Sequence, residues 1–563
     1  MPEPDSRVAR KMGGVMSKLV LGVAAGVLSQ ASAGPLELHA GTSMHRDFGP
    51  TSVQEATIAL RRGESADIAI TQHGIDVVVR MRSPNGTLLD EIDSPNGRNG
   101  DEPVSIRART SGIYRIHVQP FSASEPQGSI DVRVTALRSV AQTAQIARQR
   151  TELRRAAADW LRQNDAAIPR ISAIEAETSI PPLDRLAADA RVVGLGEATH
   201  GSVELNDVRL ALVKRLVERH GFRLIALEDS VARWRALEPY VAGSTARPAL
   251  PTEWGWIGRR ARNQLLEWAR SWNLSHPNDR VRLIGTDPQD NPYWKQQLPP
   301  LIGHAYGEDV AKAWQSHQAE LAAADEQTQV FGDSSVASAT RDFVQSMLAR
   351  IVVDAPILRK RLGDSDYGLA LDMVGQLAAF ADFNSGGTLS KSRDWYMALS
   401  VLNAIGPDSK AIYWGHNAHV SASGSETVGA LLRGSLGCGY RALATSFGSG
   451  GFLAQLPNDP TDRLRSHAVS TSDEESIESV LAQVRSGMHV AAWTCGQKPD
   501  RPAWLADLHK MRWVGGIYAP DSAVSASYRP YRLTDSFDAV VYVPVVRAEA
   551  DPGDRPLVPA RKR

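Results

Sequence analysis

Two hydrophobic rhythms divide the chain. From about residue 40 to 138, apolar positions alternate or cluster in short runs, at Ala56–Leu60, Asp67–Ile70, Ile75–Arg82 and Ile113–Val118. A period of two turns one face of each run toward a core, as in half-buried strands. Ser83-Pro-Asn-Gly86 and Ser94-Pro-Asn-Gly97 are near-identical hairpin signals, because Asn-Gly accepts positive φ at both central turn positions. Seven or eight strands at this spacing predict a small all-β jelly-roll or sandwich. Residues 139–165 change to a helical period, with Ile146, Leu153, Trp160 and Leu161 on one face, and the stretch 139–180 reads as a helical connector. Pro181-Pro182 then marks a boundary.

From 183 to 547 the rhythm becomes strand, loop, helix. Apolar runs at Arg191–Leu195, Phe222–Leu227, Arg280–Ile284, Lys410–Trp414 and Tyr440–Thr445 alternate with helical stretches, and His489–Thr494 and Asp538–Val546 complete the set. Such alternation predicts an α/β domain with a mainly parallel sheet flanked by helices. Some 110 mostly helical residues, Tyr293–Leu402, interrupt it and predict a helical cap insertion.

Composition adds limits. With 63 Lys+Arg against 63 Asp+Glu there is no basic excess for nucleic acid, so no nucleic-acid partner is expected. Arg7, Arg10, Lys11 and Lys18, the apolar run Leu19–Leu28 and Ala31-Ser32-Ala33 follow the order of a secretory signal peptide over residues 1–33. The expectation is a periplasmic or secreted protein without a membrane span. Cys438 and Cys495 lack metal-ligand or redox-motif spacing. In an oxidising compartment they could pair or stay as buried thiols, and spacing alone leaves both open. Asp76, Asp90 and Asp93 could bind calcium, but turn and cap roles suit them better.

The chemistry gathers where strands end. The first runs into Gly196-Glu197-Ala-Thr-His200-Gly201, the second into Glu228-Asp229, the third into Gly285-Thr-Asp287-Pro-Gln289, the fourth into Gly415-His416-Asn417-Ala-His419. In open α/β sheets ligands bind beyond the carboxyl ends of the strands, so a parallel sheet would bring all four sets to one crevice. Taken singly, a carboxylate there is as well explained as a helix cap, and Asp229 or Asp287 fits that description. Gly-x-Ser-x-Gly, His-Glu-x-x-His and P-loop signatures are missing from the sequence. What remains is His and Glu, the residue types that activate water.

These motifs resemble the erythromycin esterase family over residues 183–547. The matching features are Gly196–Gly201, Arg209 on the following helix, Ala226-Leu-Glu-Asp229, Trp254-Gly-Trp256 through Trp268, Gly285–Gln289, Arg393-Asp394-x-Tyr396-Met397-Ala398, Trp414–Val420 and Phe447–Gly450. The resemblance implies an ester or lactone hydrolase, with macrolides among its candidate substrates, attacking with water and without a covalent intermediate or cofactor. His200 would be the base, Glu197 and Glu228 would orient it or the water, and Arg209 and His416 would polarise the carbonyl. His419, Asp287 and Arg393 would face a small-molecule substrate. Residues 40–138 resemble the pre-peptidase C-terminal family through Gly74–Val79, Ser83–Gly86 and Gly112–Arg115. Glu204-Leu205 and the basic Ile257–Arg262 depart from the first pattern and bear on substrate choice. Three other readings keep their place: a metal at Glu197, His200, Glu228, His416 and His419, a haem-binding exported protein, and a β-module that docks on a surface.

Overall fold

The computed structural model describes residues 35–549, apart from 94–97, 123–124, 247–258, 290–293, 332–335, 386–390, 425, 458–463, 471–472, 494, 496–500 and 521–526. The leader expected at 1–33, the second Ser-Pro-Asn-Gly signal at 94–97, Trp254 and Trp256 lie outside the described residues.

Residues 36–138 form two facing sheets, five-stranded and four-stranded, so the described residues hold nine strands rather than seven or eight. Alternation is plain in Gln54–Leu60, whose even-numbered positions are all buried. Ile58, Ile68, Val79, Ile116 and Ile130 meet between the sheets. The Ser83-Pro-Asn-Gly86 signal makes its hairpin: Gly86 has φ +87° and its N–H donates to the Ser83 carbonyl at 2.9 Å. Val77–Arg82 and Leu88–Ile92 pair across it.

The second sheet is built on six parallel strands: β1 (Val192–Glu197), β2 (Leu224–Ser230), β3 (Arg282–Asp287), β4 (Ala411–His416), β5 (Tyr440–Ala454) and β6 (Ala539–Val546). They lie in the order β3-β2-β4-β1-β5-β6. β1 and β4 are buried at every position, as parallel strands covered on both faces require. Leu205, Val208 and Val213 pack on one face, and Met397, Val401, Val428 and Leu432 on the other. Between β3 and Arg393–Ala404, five helices spanning Trp294–Phe383 close over their own core of Leu298, Trp314, Val344 and Phe380, the cap insertion the sequence predicted.

The stretch 139–180 is more than a connector. Its helix, Val140–Gln163, opens with a capping box of Ser139 and Gln142. It buries Ala157, Ala158 and Leu161 against the α/β sheet, while Leu153, expected on the apolar face, is 43% exposed. Asp165–Ala167 pairs antiparallel with His489–Ala492, which pairs antiparallel with β6. Three residues carry too short a pattern to be read as an edge strand. Cys438 and Cys495 form a disulfide, with Cα atoms 5.6 Å apart. Among the described residues no helix is long and apolar enough to cross a membrane.

Candidate active site

The carboxyl ends of β1, β2, β3 and β4 meet on one edge of the sheet, and close packing fixes their spacing. A Cβ on Gly196 would fall 2.2 Å from Asn417 Oδ1. Asn417 Nδ2 donates to the Thr445 carbonyl at 2.9 Å, and Thr445 Oγ1 to the Gly196 carbonyl at 2.9 Å, tying β1, β4 and β5 together. A side chain on Gly415 would press on Glu228 Oε2 at 3.1 Å, so glycine there lets β4 sit against that carboxylate.

One half of the site grows from β1. Glu197 is 3% exposed; its Oε1 meets His200 Nδ1 at 2.8 Å and its Oε2 accepts from Arg209 Nη2. Arg209 is 1% exposed on Val203–His220, with its guanidinium 4.4 Å over the Trp414 ring and a further bond to Asn206. Burial lowers its pKa to about 10, Glu197 opposes this and Arg262 adds to it. Arg209, expected to polarise a substrate carbonyl, holds the Glu197 carboxylate through Nη2 and lies over Trp414, while its Nε and Nη1 are buried without a hydrogen-bond partner.

The other half is a chain of alternating charges. Asp287 binds Arg393 through both its oxygens, with Nε to Oδ1 at 3.0 Å. Arg393 Nη2 lies 3.6 Å from Glu228 Oε1, which is 3.1 Å from His419 Nε2, and His419 Nδ1 meets Asp394 at 2.8 Å. Burial works against the charge on His419, but Glu228 and Asp394 outweigh it and raise its pKa to about 10, so it is an imidazolium. Burial likewise opposes charge on Glu228, yet His419, His200 and Arg393 hold it well below the ordinary carboxylate range. Of the three expected to face substrate, Asp287 and Arg393 thus pair with each other, and His419 is bonded to Glu228 and Asp394. Asp229 is a structural group, bound by Arg233, Arg262, Trp234 and the Ser230 N–H.

His416 stands between the halves. Its ring centroid is 5.1 Å from that of His200, its backbone N–H donates to Glu228 Oε2 at 2.7 Å, and its Nδ1 accepts from the Ala418 N–H at 3.2 Å. Burial, then His200, hold its pKa well below normal against the pull of Glu228, so the ring is neutral. With Nδ1 accepting, the proton sits on Nε2, which is buried without a well-formed hydrogen bond. Among the described residues no three His, Cys, Asp or Glu side chains are arranged to hold one metal ion.

Two contributors were not singled out from sequence. Asp394 follows Arg393 directly and could have been taken with it. Trp513, 97 residues beyond His416 in the numbering, meets that ring edge-on at 5.4 Å and carried no motif.

Comparison with known proteins now decides the family. The family model described as erythromycin esterase matches residues 217–546, more than half of the chain. The chain belongs to the erythromycin esterase family. Membership identifies it as an ester-hydrolysing enzyme and agrees with the resemblance read from the motifs. It is 26% identical over 386 residues to an erythromycin esterase type I of Escherichia coli, covering 63% of this chain and 90% of that protein. It is 24% identical over 345 residues to a type II enzyme of Escherichia coli, covering 54% and 80%. A solved structure of an erythromycin esterase mutant in its open conformation shares the fold at TM-score 0.50 and 20% identity, covering 67% of this chain and 97% of that one. A Bacillus cereus protein structure does so at TM-score 0.55 and 19% identity, covering 70% and 98%. The erythromycin esterase match begins inside the helix that carries Arg209, so the case for Glu197, His200 and Arg209 rests on geometry.

Proposed function

We propose that this erythromycin esterase-family protein hydrolyses an ester or lactone by direct attack of water, with His200 as the general base. The observation that carries this reading is the ordered set Arg209–Glu197–His200, two buried members holding a part-exposed imidazole 5.1 Å from a neutral His416. A carboxylate on Nδ1 fixes the tautomer and supports the charge that the ring gains as it takes a proton. His200 would accept a proton from water as its oxygen bonds to the acyl carbon. The carbon–alkoxy bond then breaks, and the proton passes to the departing alkoxide. His416, with its proton on Nε2, would donate to the developing oxyanion, a kind of contact worth about 10² to 10³ in rate. Arg393 and imidazolium His419 would supply a positive background around Glu228.

Macrolides head the substrates to test, because the two curated relatives are named erythromycin esterases. We further propose that the protein is exported. The basic and apolar N-terminal order supports this, and so does the Cys438–Cys495 disulfide, which persists in oxidising compartments.

The test is to incubate the protein and His200→Ala with macrolides and simple esters and lactones, following mass. Addition of one water by the wild type, reduced about 10²- to 10⁴-fold in the variant, is expected. Equal turnover by both would remove His200 as the base.

A further inference from the structure

A two-stranded ribbon, Leu508–Arg512 paired with Tyr528–Arg532, runs by the site, and the residues directly after its first strand touch the His416 ring and the backbone just before His200. Directly after its first strand, the Val514 N–H donates to the Ala198 carbonyl at 2.7 Å, and Val514 bridges Thr199. Ala198 and Thr199 are the two residues between Glu197 and His200. One residue earlier, the Trp513 indole meets the His416 ring edge-on, centroids 5.4 Å apart at 85°.

The ribbon is held where it makes these contacts. Arg512 is 1% exposed; its N–H donates to Glu478 at 2.8 Å and its Nη2 to the Gly448 carbonyl at 2.9 Å. The Trp513 backbone N–H donates to the Ser527 carbonyl at 2.8 Å, and the Arg529 guanidinium lies 4.4 Å over the Trp513 ring. A Cβ on Gly515 would come within 3.3 Å of the indole, so the backbone turns close behind it. Trp513 is only part-buried while the ring it presses on is 3% exposed. An indole placed only to fill a core would be covered itself; this one covers His416.

We propose that Trp513 is a positioning residue acting through His416, and that the ribbon is a clamp that sets the separation of His416 from the His200 turn. This rests on the reading that His416 assists the reaction. Edge-to-face contact fixes the plane of the imidazole, and with it the direction of its Nε2 proton. Misplacement by about 1 Å can cost about 10²-fold in rate.

The experiment is a double-mutant cycle of Trp513→Ala and His416→Ala, with Trp513→Phe beside it, reading kcat and KM on whichever ester the wild type turns over. Trp513→Ala is expected to lower kcat about 10- to 100-fold with KM nearly unchanged. Trp513→Phe should restore most of the loss. In the His416→Ala background the tryptophan change should add nothing, because coupled residues fail to add. A full second loss in that background, or a Phe variant as slow as the Ala one, overturns the clamp while leaving His416 in place. A fully active His416→Ala overturns the role of His416 and the purpose of the clamp together. If Trp513→Ala fails to fold, Arg529→Met takes its place, removing the guanidinium from the indole. It should lower kcat in the same direction, and its effect should vanish without His416.

Discussion

His200 and His419 lie on two sides of one site, each bonded to a glutamate at the end of a parallel strand, yet their surroundings give them opposite work. His200 has Glu197 on Nδ1, and Glu197 is itself held by Arg209. His419 has a carboxylate on each nitrogen, Asp394 and Glu228. A ring pinned by two anions keeps its proton, to a pKa of about 10, and cannot serve as a base near neutrality. The motif His416-Asn-Ala-His419 contains two histidines three residues apart, one neutral and one charged. Residue type announces chemistry; the number of carboxylates and the depth of burial assign the role.

The largest expected break of this contrast is Glu197→Gln. It removes the charge that Arg209 and His200 share, leaving a guanidinium that is 1% exposed without its hydrogen-bonded anion. Stranding a buried charge costs about 3–5 kcal/mol. Urea unfolding should show a loss of that order, and kcat should fall about 10²-fold or more as His200 loses its orienting partner. A stable variant with wild-type kcat would mean that His200 is not tuned by Glu197.

His419→Gln tests the other side. A folded pKa of about 10 lies above the ordinary value of about 6.5. The folded state therefore holds this proton more tightly than the unfolded chain does. Its stabilisation is full below about pH 6.5 and is lost as pH rises toward 10. Melting temperature against pH should slope downward over that window in the wild type and be flatter in His419→Gln. The turnover of the variant should fall less than that of Glu197→Gln. Parallel slopes would mean that His419 is not the titrating group, and a loss of turnover matching Glu197→Gln would place it in the chemistry.

The sequence already contained much of this. The four strand ends carried their His, Glu and Asp residues in motifs of two to six residues, and parallel packing alone brings such ends together. The cap was legible because its helical period runs unbroken by strand signals. Other features escaped for physical reasons. Arg209 is marked as a site residue by its motif, but only packing shows that it holds Glu197 and lies over Trp414. Asp165–Ala167 joins the sheet through three residues, too few for a period. The ribbon strand Tyr528-Arg-Pro-Tyr-Arg532 shows no period of two in its sequence, since its tyrosines sit three residues apart with a proline between, although Tyr528 is buried and Tyr531 packs on the core. Pairing of Cys438 with Cys495 depended on a Cα distance that no spacing gives.

The smallest expected effect tests whether the two sides can be moved separately. Lys510, on the clamp ribbon, lies 3.4 Å from Asp90 of the sandwich and 3.8 Å from Asp473. Asp90, considered above as a calcium ligand, is thus an ion-pair partner of the ribbon. Pairs this exposed are worth about 0–1 kcal/mol, so Asp90→Asn should change the melting temperature little. The ribbon touches the His200 turn and His416, whereas the charge on His419 is set by Glu228 and Asp394. Any change in Asp90→Asn should therefore appear as a modest fall in kcat, grow at low salt in the wild type relative to the variant, and leave the His419 pH slope where it was. A changed slope with unchanged kcat would mean that the sandwich acts on the charged chain instead, and that the site's two halves are mechanically one.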